Sequence, residues 1–166
     1  MDSRRATILW LLVALVVFGV GAFVSRRSEK TPEAPSWQRP VSELTESQQR
    51  FFKALREQLR KAEDQRGKNK KWPEAVGVFP EGFKLEQQGI YVNYSGESDG
   101  LRWLVLFIEP DPRFPPEKVP EDDEHHVLSD GTMLHVTVWT QSANEQPAER
   151  VTAFPAAEGW VERVRR

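Results

Sequence analysis

Three histidines carry most of the reactive chemistry in this 166-residue sequence, which contains no cysteine. His125 and His126 follow directly on Asp122-Asp123-Glu124, and His135 lies nine positions beyond His126. Imidazole and carboxylate are the ligand types of a hydrolytic zinc site, in which three protein groups leave one position open for water. His125, His126 and His135, with Asp122 and Asp123, are therefore the candidate metal ligands, and a metal-dependent hydrolase built on this His-rich loop end is one functional reading. Adjacent residues project in different directions, so the run closes a shell only where the loop folds back. The helical His-x-x-x-His spacing of zinc hydrolases is absent. The competing reading is a solvated acidic loop with incidental histidines. Other reactive patterns have less support. The glycines at 77, 82, 89, 96 and 100 make no phosphate-binding pattern, and there is no Gly-x-Ser-x-Gly elbow. No catalytic residue and no cofactor is expected.

The histidines depend on the segments around them. Glu109 to His126 holds five prolines, seven acidic and two basic residues. That many prolines exclude regular structure and make a stiff excursion between two strands. Before it, Trp103 to Ile108 is apolar on both alternating faces, which predicts a central strand covered on both sides. After it, Val127-Leu128, the turn Ser129-Asp130-Gly131 and Thr132–Thr140 read as a hairpin, with Asp-Gly supplying the tight turn. Leu134, Val136 and Val138 make a core face. Met133, His135, Thr137 and Trp139 make the other, which is amphipathic. Met133, His135 and Trp139, with Tyr91 from the strand Ile90–Tyr94, are the candidates for a binding surface, because aromatic and Met side chains supply contact area at interfaces. The alternative is a second small core beneath the loop or the C-terminus. Phe83–Leu85 and Val151–Phe154 are further strand candidates. Local connections between consecutive strands favour an antiparallel meander.

A helix precedes these strands. Thr45 followed by Gln48 is a capping-box start, in which each side chain satisfies an otherwise orphan backbone N–H. Leu44, Phe51, Phe52, Leu55, Leu59 and Ala62 recur at helical spacing, and Gly67 predicts the end. Arg50, Lys53, Arg56, Glu57 and Arg60 mark the opposite face. Between Arg50 and Lys71 there are nine basic and three acidic residues, either a patch for an anionic lipid or acidic partner or a solvated helix face. The fold class expected for residues 42–166 is a small α+β domain, one amphipathic helix packed on a mainly antiparallel β-meander.

The N-terminal part is of another kind. After a short tail of residues 1–5, Ala6–Val24 has no charge, and Trp10, Leu11, Leu12, Val16 and Phe18 are among its membrane-facing residues. As a helix it is about 28 Å long, enough to span the hydrocarbon core of a bilayer. A cleaved signal peptide is the alternative, with small residues at Val20-Gly21-Ala22. The apolar run is longer than an ordinary h-region, and Arg26 and Arg27 follow it at once. Residues 25–41 read as a Pro-rich linker. The basic flanks of the span are nearly balanced, and the long C-terminal part is placed outside, making a signal anchor with an extracytoplasmic domain. A formal charge of −2 and a pI near 6.0 give no pull toward nucleic acid. An apolar N-terminal helix before an amphipathic helix and strands is superficially the order of a type IV pilin. The sequence lacks that family's Glu near the start of the apolar helix and its Gly-Phe processing site, so no residue role is carried over. The expectation is a single-pass membrane protein, held in the lipid bilayer by residues 6–24, whose C-terminal domain binds or scaffolds another envelope component or self-associates. The hydrolase, and a secreted soluble domain released by signal-peptide cleavage, are the alternatives.

Overall fold

The computed structural model describes residues 34–114, 120, 122–144 and 152–165. The chain divides into two compact units, Met1–Pro35 and Ser36–Arg166, and all described residues except Ala34 and Pro35 belong to the second. The expected span Ala6–Val24 lies outside the described residues. Among the described residues no helix is long and apolar enough to cross a membrane.

The α+β expectation holds: one long helix packs on a mostly antiparallel sheet. Helix α1 is Glu46–Asn69, and the strands are β1 (Gln38–Pro40), β2 (Lys84–Gln88), β3 (Tyr91–Ser98), β4 (Leu101–Ile108), β5 (His125–Val127), β6 (Met133–Ser142) and β7 (Val161–Val164). The sheet order is β1-β7-β6-β4-β3-β2, with β5 beside β6; all pairs are antiparallel except β1 with β7. The meander runs from β2 to β4 and continues to β6 across the acidic excursion.

Two expectations are corrected. Gln38–Pro40, placed by sequence in the linker, form the parallel edge strand β1. The Gln38 amide donates to the Glu162 carboxylate at 2.8 Å, and the Glu162 backbone N–H donates to the Trp37 carbonyl at 2.8 Å. Proline is tolerated there because an edge strand has one side that needs no N–H. In the C-terminal part, Thr152–Phe154 is irregular and leads into a 3₁₀ turn at Pro155–Glu158; the strand lies later, at β7.

Helix α1 begins with the expected capping box: the Gln48 N–H donates to Thr45 Oγ1 at 3.3 Å, and the Thr45 N–H donates to Gln48 Oε1 at 3.1 Å. It passes through Gly67 and ends at Lys70, which takes a left-handed φ of 58°. Gly67 is buried and serves close approach: a Cβ there would lie 2.5 Å from Ser129 Oγ in the β5–β6 turn.

The inward face of α1 (Phe52, Leu55, Leu59, Ala62) meets Val92, Tyr94, Trp103, Val105, Phe107, Leu134, Val136 and Val138 in the main core. β4 lies between β3 and β6, and the alternate residues Leu104 and Leu106 face the other side, where they pack with Trp139 and Trp160 in a second cluster. The doubly apolar strand is thus covered on both faces, by the helix on one and in part by the C-terminal segment on the other. That segment is tied down by polar bonds: the Gln141 amide donates to the Glu158 carbonyl at 2.8 Å, and Thr152 Oγ1 to the Glu158 carboxylate at 2.9 Å.

Candidate functional site

The three histidines do not converge. Successive strand residues point to opposite faces, and the β5–β6 register pairs His125 with His135 and His126 with the core residue Leu134. His126 therefore turns toward α1. Its Nδ1 lies 2.5 Å from Glu63 Oε1 and its Nε2 lies 3.2 Å from the Asp123 carbonyl. Two acceptors on one ring call for an N–H on both nitrogens, which only the imidazolium has. The hydrogen bond to Glu63 raises the His126 pKa above its ordinary value, against the opposing effect of burial.

His125 and His135 lie on the other face with their rings stacked, centroids 4.9 Å apart. Each has its own carboxylate: His125 Nδ1 lies 2.8 Å from Asp122 Oδ1, and His135 Nε2 lies 3.3 Å from Glu124 Oε2. Asp122 also accepts the backbone N–H groups of Glu124 and His125, both at 2.9 Å. These bonds, that from His125 foremost, hold its pKa below the usual carboxylate value. Asp123 is exposed. Among the described residues, no group of three or more His, Asp or Glu side chains is arranged to hold a metal ion. The loop end is pinned by pairwise bonds, in which one nitrogen of each imidazole meets a separate carboxylate.

The binding-surface candidates also separate. Trp139 is only 7% exposed, and its indole N–H donates to Thr137 Oγ1 at 2.7 Å, so it belongs to the second core cluster. Tyr91 is half-buried and, like its cross-strand partner Ile108, packs against that cluster. His135 is the next residue in the same row, opposite Ile108. Met133, at the far end of β6, is half-buried opposite Val127. The amphipathic face is in large part the small second core offered above as the alternative.

The basic helix face also takes a different form from its sequence balance. Arg50, Lys53, Arg60, Lys61 and Lys68 are exposed, but Glu46, Glu57 and Asp64 are exposed among them at three- and four-residue spacings. Such spacing sets opposite charges side by side on a helix surface. Arg56, expected on the outer face, is half-buried.

A hollow of about 290 Å³ lies beside the loop end, lined by Asp122, Asp123, Glu124, Arg56 and Arg163 among others, and a larger concave site lies where β2–β4 meet the C-terminal segment. A groove of about 430 Å³ is lined by Lys84 and Glu86 of β2, Asn93, Ser95 and Glu97 of β3, Arg102 and Leu104 of β4, and Thr152 and Trp160. This volume lies in the range of small-ligand sites. Strand register orders the polar groups: Glu86 is opposite Asn93, Lys84 opposite Ser95, and Glu97 opposite Arg102. Asn93 is 2% exposed and its Nδ2 donates to the Thr152 carbonyl at 3.3 Å, while its Oδ1 has no hydrogen-bond partner among the described residues. Arg102 Nε donates to Glu97 Oε1 at 3.0 Å and its Nη2 to the Ala143 carbonyl at 3.3 Å, while Nη1 is buried and unpartnered among the described residues. A buried polar atom without a partner costs on the order of 1–3 kcal/mol. Sequence reasoning missed this site. The one signal for it was Asn93 itself, a polar residue flanked by the apolar Val92 and Tyr94.

Comparison with protein-family models, with curated proteins and with solved structures finds no match to this chain.

Proposed function

We propose that this chain is a single-pass membrane-anchored binding module. In this reading residues 6–24 hold it in the bilayer, and the C-terminal α+β domain, on the extracytoplasmic side, engages another envelope component. The observation that supports it is the β2–β4 groove. A concave site with convergent polar groups is the ordinary form of a ligand site, and this one, lined largely by polar side chains, contains two buried polar atoms left unpaired among the described residues. A hydrolase needs a nucleophile or metal poised over an open position. The described histidines lie on two faces of the sheet and are each bonded to a separate carboxylate.

The test is a fragment screen on the full chain in detergent micelles, read by amide chemical shifts. Fragments that bind should move Ser95, Leu104 and Trp160 together, and Ser95→Trp, which fills the groove, should abolish these shifts without unfolding the domain. Shifts gathered at His125 and His135 on adding zinc, and none at the groove, would favour the hydrolase instead.

A further inference from the structure

We infer that the β2–β4 groove takes a short zwitterionic peptide of three residues, its ammonium group at Asn93 and Glu86 and its carboxylate at Arg102. This rests on the binding-module reading and names its ligand. The groove is polarised along β3. At one end lie two acceptors of the cross-strand neighbours Glu86 and Asn93, the Glu86 carboxylate and, buried in the groove wall, the Asn93 Oδ1 that is unpartnered among the described residues. At the other end the donor Nη1 of Arg102 lies buried in the groove wall, unpartnered among the described residues. Lys84 stands between them, opposite Ser95.

The spacing and charge limit the occupant. Asn93 and the Glu97–Arg102 pair are four positions apart along the strand, about 13 Å at 3.3 Å per residue. Three extended residues span about 10 Å, and the side chains of Arg102 and Glu86 close the remainder. Glu97 already occupies Arg102 Nε and Ala143 occupies Nη2. The guanidinium therefore has one nitrogen left to offer, which suits one carboxylate oxygen and not a phosphate dianion that needs several donors. Trp160 is 6% exposed and packed on Leu104 and Trp139, so it offers no open face on which a base or sugar ring could stack.

The experiment titrates the full chain in detergent micelles with trialanine, trialanine amide and N-acetyl-trialanine, following the groove amides. Free trialanine should bind, and blocking either terminus should weaken binding at least about tenfold, since each block removes a charge from a partly buried pair. Glu86→Gln, a change on the edge strand, should remove the penalty of acetylation and keep that of amidation. Arg102→Lys should do the converse; Glu86→Gln gives an answer even where Arg102→Lys unfolds. If either blocked peptide binds the groove as tightly as the free one, the zwitterionic ligand is wrong while the binding-module reading stands. If neither fragments nor peptides move Ser95, Leu104 or Trp160, both fail.

Discussion

His126 couples the helix to the sheet through a proton. Its ring lies between Glu63 of α1 and the Asp123 carbonyl, and its pKa is raised in the fold, by the Glu63 hydrogen bond first. A histidine raised above its unfolded value of about 6.5 stabilises the fold fully below that pH, and the contribution is lost as pH rises through the folded value. His126→Gln should therefore lower the melting temperature most near pH 5, with the gap to the unaltered protein narrowing by about pH 8. An equal gap at both pH values, measured by thermal unfolding, would show that the ring contributes packing alone. Asp130 works with the opposite sign. Lys70 and the Thr132 backbone N–H bond its carboxylate and hold its pKa well below the usual range, so its contribution persists until strongly acid pH. At this scale the sequence reveals residue types and hides partners. The histidines are visible as ligand-type residues, but strand alternation, which turns His126 away from His125 and His135, emerges only once the β5–β6 register is fixed. Asn93 shows in sequence only as a polar residue between two apolar ones, and Arg102 not at all, because an unpaired atom is defined by its surroundings, here Thr152 and Ala143, 59 and 41 positions away.

Among the elements, β4 was the most legible. An apolar run on both alternating faces means cover on both sides, and β4 is central with clusters above and below. Phe107 is fully buried, its ring centroid 4.4 Å from that of Trp72. Phe107→Ala should cost about 3–5 kcal/mol, and Lys53→Ala on the exposed side of α1 less than about 0.5 kcal/mol. Denaturant midpoints that coincide for the two variants would contradict the burial assigned to β4 and α1. A close approach in β3 allows a sharper test. A Cβ at Gly96 would overlap the ring of Phe83, which stacks on Phe79. Gly96→Ala should destabilise by about 1–3 kcal/mol through overpacking, and Phe83→Leu in the same chain should return part of the loss. Additive losses in the double variant, read from chemical unfolding, would place the strain elsewhere. The helix start was legible because a capping box is local. The helix end was legible to within two residues, at Asn69, although Gly67 itself answers to Ser129 across the fold and not to a cap. β1 was hidden, because three residues containing a proline acquire strand character only from β7, more than a hundred positions away.

For the whole molecule, the open question is what the folded unit is attached to. The compact unit begins at Ser36, and its first strand follows immediately at the sheet edge. An apolar stretch of 19 residues precedes it in the sequence, ending at Val24 before Arg26 and Arg27. Such a length spans a bilayer core, whereas a cleaved signal needs only 7–15 apolar residues before its cleavage site. Flanking arginines also resist transfer into hydrocarbon, which favours a stable span over release. The chain should therefore remain in the membrane pellet after carbonate or high-salt washing, with its N-terminal residues still attached. Edman sequencing or intact mass after extraction checks this. A soluble chain starting at Phe23 would establish cleavage after Ala22 and make the groove a site on a free domain. Anchorage also bears on ligand capture. A tethered module meets ligands confined to the same envelope at a raised effective concentration. Cutting the tether between Val24 and Ser36 should thus leave the affinity for a free peptide unchanged and weaken capture of the same peptide displayed on the membrane surface. Equal losses in both assays would mean that the N-terminal segment supports the groove directly.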